Sequence, residues 1–153
     1  MKKFVKSILA LTLVLAISFA FAGCKIVIIE GKWTATEYTV EKYVYADDEQ
    51  TKIVSYTTEY PLEIGAQISF EIKDGGTCVI QQSDYVEVDG KFFVTAVDTY
   101  NGTWKQTEKG VEIKANNISI EFEKQGSQLV QKQEIKKGKT KTVQKIVMTR
   151  TGK

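Results

Sequence analysis

The chain has 153 residues, with 21 Lys or Arg against 19 Asp or Glu, two cysteines and no histidine. Without histidine it lacks the commonest general base, the Ser–His and Cys–His nucleophile pairs and most zinc or copper sites. A near-neutral balance gives no basic field to draw nucleic acid, and two cysteines do not make a disulfide framework.

Lys2, Lys3 and Lys6 open the chain, and an apolar run from Ile8 to Ala22 follows, broken by Thr12 and Ser18. It ends in the small residues Ala22 and Gly23, directly before Cys24. This is the pattern of a secretory signal over residues 1–23, shorter than the roughly 20 residues that span a bilayer. Phe21-Ala22-Gly23-Cys24 resembles the lipobox of bacterial lipoproteins, with Phe21 in place of the usual aliphatic residue. The resemblance implies cleavage between Gly23 and Cys24, a diacylglycerol thioether on the Cys24 thiol and an acyl chain on its amine. Two or three chains anchor a protein stably where one is marginal. The expected location is therefore the extracytoplasmic face of a membrane, with inner membrane, outer membrane and cell surface all open. Residues 24–30 would be the lipidated cysteine and a short apolar tether, and residues 31–153 a single domain.

Removing residues 1–23 leaves eighteen basic against nineteen acidic side chains. Residues 24–123 hold nine Lys against eighteen acids, and residues 124–153 hold nine Lys or Arg against Glu134 alone. The preferred reading pairs a basic C-terminal hairpin with an acidic first strand carrying Glu37 and Glu41. The sharper one turns Lys132, Lys136, Lys137, Lys139, Lys141 and Lys145 towards anionic headgroups, at about 1 kcal/mol for each Lys.

The mature sequence reads as strands and turns, with no convincing helix. Two longer strands come first, near Lys32–Tyr45 and Thr51–Tyr60, joined by the loop Ala46–Gln50. In the first, Trp33 and Ala35 are odd while Tyr38, Val40 and Val44 are even, so the apolar face changes parity. A bulge between them would explain this. Asp47-Asp48-Glu49 reads as a solvated loop rather than a calcium site. Pro61 ends the second strand. Ile68, Phe70 and Ile72 alternate with polar residues, the period of a half-buried strand, and Asp74-Gly75-Gly76 turns the chain. Thr77 to Val88 returns with Cys78 and Ile80 inward, Cys78 being a buried free thiol if Cys24 is a thioether. Asp89-Gly90, Asn101-Gly102, Lys109-Gly110, Asn116-Asn117, Gln125-Gly126 and Lys137-Gly138 read as further turns. Between them run Lys91–Tyr100, Thr103–Thr107, Val111–Ala115, Ile118–Phe122, Gln128–Ile135 and Thr140–Thr149. The fold class is all-β, an antiparallel meander of eight to ten strands. Closure into a barrel is preferred over a β-sandwich because an open sheet leaves two bare edges.

Gly31-Lys32-Trp33 is similar to the Gly-x-Trp motif that opens the first lipocalin strand. Phe70-Glu71-Ile72-Lys73-Asp74-Gly75-Gly76-Thr77 is similar to the Phe-x-Phe-x-x-Asp-Gly-Thr hairpin of small bacterial lipocalin-like lipoproteins, with one inserted Gly and Ile72 for an aromatic. Gly102-Thr103-Trp104 and Gly110-Val111-Glu112-Ile113 look like the later strand and hairpin of those proteins. The resemblance implies a meander barrel and, in some relatives, an apolar ligand inside. It also implies that Trp33 closes the barrel floor under Arg150, the only arginine in the chain. A cation–π contact there would contribute about 0.5–2 kcal/mol.

Two functions stay open. One is a membrane-anchored lipocalin-like protein binding a small apolar ligand, with Tyr38, Tyr43, Tyr45, Tyr56 and Tyr60 as candidate cavity walls. The other is a non-catalytic envelope protein with a filled core, which large inward residues such as Phe70, Ile72, Ile113, Ile120 and Phe122 favour; it would bind a partner protein through Phe92-Phe93-Val94 or the basic last hairpin. No enzyme and no cofactor is expected, since the acids sit at polar strand positions or in turns.

Overall fold

The computed structural model describes residues 28–153; the signal segment, Gly23, Cys24 and the start of the tether lie outside them. The strands are β1 (Gly31–Tyr45), β2 (Ile53–Glu59), β3 (Ile68–Lys73), β4 (Thr77–Gln82), β5 (Tyr85–Val88) and β6 (Lys91–Val94). They continue with β7 (Asp98–Gln106), β8 (Gly110–Ala115), β9 (Ile118–Gln125), β10 (Gln128–Lys137) and β11 (Thr140–Gly152). Among the described residues the helical content is one 3₁₀ turn, Asp74–Gly76.

Eight strands close a barrel in the order β1-β3-β4-β7-β8-β9-β10-β11, with β11 pairing back onto β1. Every pair is antiparallel. The all-β meander closes on itself and is not a sandwich. Its seam, β1 against β11, runs from Lys32 opposite Gly152 to Val44 opposite Thr140.

Two departures from a plain meander shape the molecule. First, β2 and β3 lie along one edge of β1. That edge pairs with β2 over Val40–Tyr45 and with β3 over Gly31–Thr34, while the other edge is taken by β11 throughout. They are two pieces of one barrel strand, parted by an excursion at Tyr60–Gln67 that begins at buried Pro61. Second, β5 and β6 form a separate hairpin inserted between β4 and β7.

The parity change in β1 is a bulge: Ala35 faces Met148 and Glu37 faces Val147, leaving Thr36 as the extra residue. Trp33 below it and Tyr38 and Val40 above it therefore share the inner face. Val44 is half exposed and Tyr45 buried, because the β1–β2 register shifts between these two residues. Asp89-Gly90 and Asn116-Asn117 turn as the sequence suggests, all four with positive φ, which suits the tight hairpin turns that follow strand twist.

Asn101-Gly102 does not turn. Gly102 sits inside β7, opposite Cys78 on β4. A Cβ there would lie 2.5 Å from the Lys114 carbonyl oxygen and 3.1 Å from Cys78 Sγ. Glycine here permits close backbone approach within a strand. Thr77–Val88 is likewise two strands broken at Ser83-Asp84, and Lys91–Tyr100 is divided at Thr95–Val97.

The core fills one end of the barrel, the floor. Trp33, Phe70, Ile72, Cys78, Phe122 and Leu129 pack there with Ile146 and Met148. Ile29, placed in the tether by sequence, is buried among them, and its carbonyl accepts a 2.7 Å hydrogen bond from Trp33 Nε1. The chain thus plugs the floor before β1 begins. Cys78 is a buried free thiol, and burial pushes its pKa up. Because only the thiolate alkylates readily, the native protein is expected to resist iodoacetamide at neutral pH and to react in denaturant; a modification time course by mass spectrometry checks this.

At the opposite end the strands outrun the barrel. The upper parts of β10, β11, β1 and β2 continue as a four-stranded tongue ending in the Gly138-Lys139 turn. Gln50 on the β1–β2 loop ties the tip together by donating to the carbonyls of Gly138 (2.9 Å) and Thr140 (3.2 Å). Along the outer face, Lys145 meets Glu37 at 2.7 Å, and Lys136 and Lys141 each meet Glu134 at 3.2 Å. Glu41 accepts from the Tyr43 hydroxyl instead of a lysine, which pushes the Tyr43 pKa up to about 12. Exposed pairs of this kind contribute about 0–1 kcal/mol each, so they fix side-chain placement more than stability.

Candidate functional site

Above the floor the barrel is hollow. A cavity of about 470 Å³ opens at the tongue end, within the range of small-molecule sites. Its shape follows from the strands. The inner face of the lower half carries large apolar side chains, whereas the same face of β10 and β11 changes to Gln131, Gln133 and Gln144. Phe70, Phe122, Ile113 and Ile146 make the base, and Ile68, Ile80 and Ile120 one wall. Phe70 and Phe122 meet at 5.3 Å between ring centroids, with their planes tilted by 58°, a favourable aromatic arrangement.

The polar wall is partly satisfied by its own members. Gln144 Nε2 donates to the Tyr38 hydroxyl at 3.0 Å, and Gln82 Nε2 donates to Asp84 at 3.0 Å. Tyr85, at the root of the β5–β6 hairpin, lines the rim and donates to Glu59 on β2 at 2.7 Å. Burial raises the Glu59 pKa, but hydrogen bonds from Lys42 and Tyr85 outweigh it and hold the carboxyl below its ordinary value. Burial, then the charges of Asp84 and Glu59, raise the Tyr38 pKa above its ordinary value. Burial and the Glu59 hydrogen bond raise that of Tyr85.

Gln131 differs. It is 8 % exposed, and its Oε1 is buried without a hydrogen-bond partner. An unmet buried acceptor costs about 1–3 kcal/mol.

The cavity also opens sideways. β9 and β10 pair only from Glu123–Gln125 to Gln128–Val130. Beyond this, the Ile118–Phe122 edge and the Gln131–Lys137 edge are both unpaired. Ser119, Glu121 and Lys132 alternate with inward residues yet border the cavity, because it reaches out between the two parted strands.

Of the residues singled out by sequence, Gly31, Trp33 and Arg150 meet at the floor. Trp33 and Arg150 are ladder partners, and Trp33 is 2 % exposed. The Arg150 guanidinium lies against Gly31, where a Cβ would come within 2.9 Å of both Nε and Nη2. Arg150 Nη2 donates to the Glu30 carbonyl. The cation–π contact found among the described residues is elsewhere, Lys141 over Tyr43 at 5.4 Å. Gly23 and Cys24 lie outside the described residues.

Of the five tyrosines, Tyr38 lines the cavity. Tyr43 and Tyr56 pack on the tongue at 4.8 Å between centroids, and Tyr60 is exposed. The Asp47 carboxylate closes its loop by accepting from the Thr51 amide (3.1 Å) and hydroxyl (2.7 Å). Phe92 packs on Tyr85 at 5.8 Å between ring centroids, while Val86, Val88 and Phe93 on the other hairpin face stay exposed. Sequence reasoning missed the glutamine wall. Its only trace is polar residues at inward positions of strands whose lower inward positions are Leu129, Ile146 and Met148.

Comparison of the chain with family models, with curated proteins and with solved structures finds no match.

Proposed function

We propose that the protein is a membrane-anchored extracytoplasmic lipoprotein whose lipocalin-like barrel holds a small, mainly apolar ligand, without catalysis. One observation carries the ligand reading: the barrel core stops halfway, leaving an open cavity of about 470 Å³ with an apolar base. A barrel of about eight strands can be filled by side chains or can hold one small ligand, and this core favours the second. The anchor reading rests on the charged start, the apolar run and Ala22-Gly23-Cys24. An anchor on Cys24 would attach four residues before Ile28, at the floor end, leaving the mouth at the far end of the domain.

Native mass spectrometry of the protein purified from its host is expected to show a reproducible bound molecule, and labelled palmitate is expected to enter the unaltered chain but not Cys24→Ala. A protein that is empty in every preparation and displaces no apolar dye would sink the ligand reading. Equal labelling of both chains would sink the anchor.

A second reading, an envelope protein that binds a partner, is favoured by the exposed apolar hairpin face of Val86, Val88 and Phe93.

A further inference from the structure

We infer that the occupant of the barrel is an apolar molecule with an uncharged hydrogen-bond-donating head, such as an alcohol or a primary amide, and that the head donates to Gln131 Oε1. The inference rests on the ligand reading above and adds the chemistry of the head.

Three observations converge on it. Gln131 Oε1 is the buried side-chain atom of the cavity wall left without a partner, whereas Gln144, Tyr38 and Tyr85 are bonded within the protein. The atom is an acceptor, so it selects a donor. It also lies deep: its ladder partner is Ile146, next to buried Leu129 and Met148. A head reaching it leaves the ligand's apolar body against Ile80, Ile113 and Phe122.

The charges around the cavity argue against an ionised head. Lys132, the one lysine bordering it, alternates with Gln131 and Gln133 and belongs to the outer face, as does Glu121 across the gap between the parted strands, and the carboxylates near the rim are Asp84 and Glu59. A carboxylate head would meet no inward cation and would face like charge. An ammonium head would be held at the rim by Asp84, leaving Gln131 unmet. Burial first, and then the charges of these two carboxylates, raise the Tyr38 pKa, and the second contribution is consistent with a negative field that favours donors.

The parted β9 and β10 give the head a way in. Gln131 lies where the two strands separate, one residue above the last ladder pair, Val130 with Glu123. A ligand entering from the side reaches it without crossing the apolar base.

The test uses the full-length protein in an amphipathic polymer, an apolar fluorescent dye as reporter, and three displacing probes. Decanol carries the donor, decyl methyl ether has an acceptor only, and decanoate is charged. Decanol is expected to displace the dye at about tenfold lower concentration than either of the others. In Gln131→Leu, that advantage over the ether is expected to shrink to about twofold or less while the dye still binds. Equal displacement by decanol and its ether in the unaltered protein overturns the inference and leaves the ligand reading standing. A preference for the ether or for decanoate overturns it as well. Failure of the dye and of all three probes to bind overturns the ligand reading itself.

Discussion

Gly110→Ala is expected to lower stability by about 3 kcal/mol or more and Tm by about 10 °C, among the largest effects of any single methyl group in this chain. Gly110 opens β8 opposite Glu123 of β9. A Cβ built there runs into the Phe122 carbonyl oxygen and lies 2.8 Å from the Lys124 amide nitrogen. These are backbone atoms and cannot turn aside as a side chain can. The same backbone is fixed by hydrogen bonds from the Lys124 amide to the Lys109 carbonyl at 2.7 Å and from the Thr107 amide to the Gly110 carbonyl at 3.0 Å. Relief therefore requires opening the β8–β9 pair, which carries Val111, Ile113 and Phe122 of the core. Gly126→Ala is the control. It has nothing within 4 Å and a φ of +61°, so it should cost only about 1 kcal/mol of conformational strain. Thermal unfolding followed by circular dichroism separates the two, and equal shifts would refute the clash.

Trp33→Ala is the second large effect, expected at about 3–5 kcal/mol. The ring is buried against Phe70 at 6.5 Å between centroids, and its N–H holds the Ile29 carbonyl. Truncation leaves a cavity in the floor and frees the plug together. Trp33→Phe keeps most of the packing but leaves that carbonyl unmet, at about 1–3 kcal/mol. The expected order is Ala worse than Phe, and Phe worse than unaltered protein, in chemical denaturation. If Phe costs as much as Ala, the hydrogen bond rather than ring volume closes the floor.

Much of the fold was legible because the relevant physics is local. Alternation marked Ile68–Lys73 and Val111–Ala115. Asp-Gly and Asn-Asn marked turns that need positive φ, and the parity switch in β1 announced the bulge at Thr36. The failures share one cause. Asn101-Gly102 looks like a turn, but the demand on Gly102 comes from Lys114 and Cys78, distant in sequence. The division of one barrel strand into β2 and β3 shows only in what β1 pairs with. The glutamine wall was equally hidden, since a polar residue at an inward position has meaning only when the opposite wall is known. Ile29 read as tether because its period belongs to no strand; burial, not pattern, makes it part of the core.

The β1–β11 seam bears on when the barrel can form. It joins the first strand to the last, and the side chains of Thr34 and Thr151 that meet across it are 117 residues apart in sequence. Contacts so distant are formed only after a large loop-closure cost, and folds dominated by them fold slowly. No N-terminal fragment can close this barrel, because β1 and β10 would keep bare edges until β11 arrives. Closure of the seam is therefore the last pairing the barrel can make, and until β11 is available the partly built sheet keeps two edges that can pair with other chains.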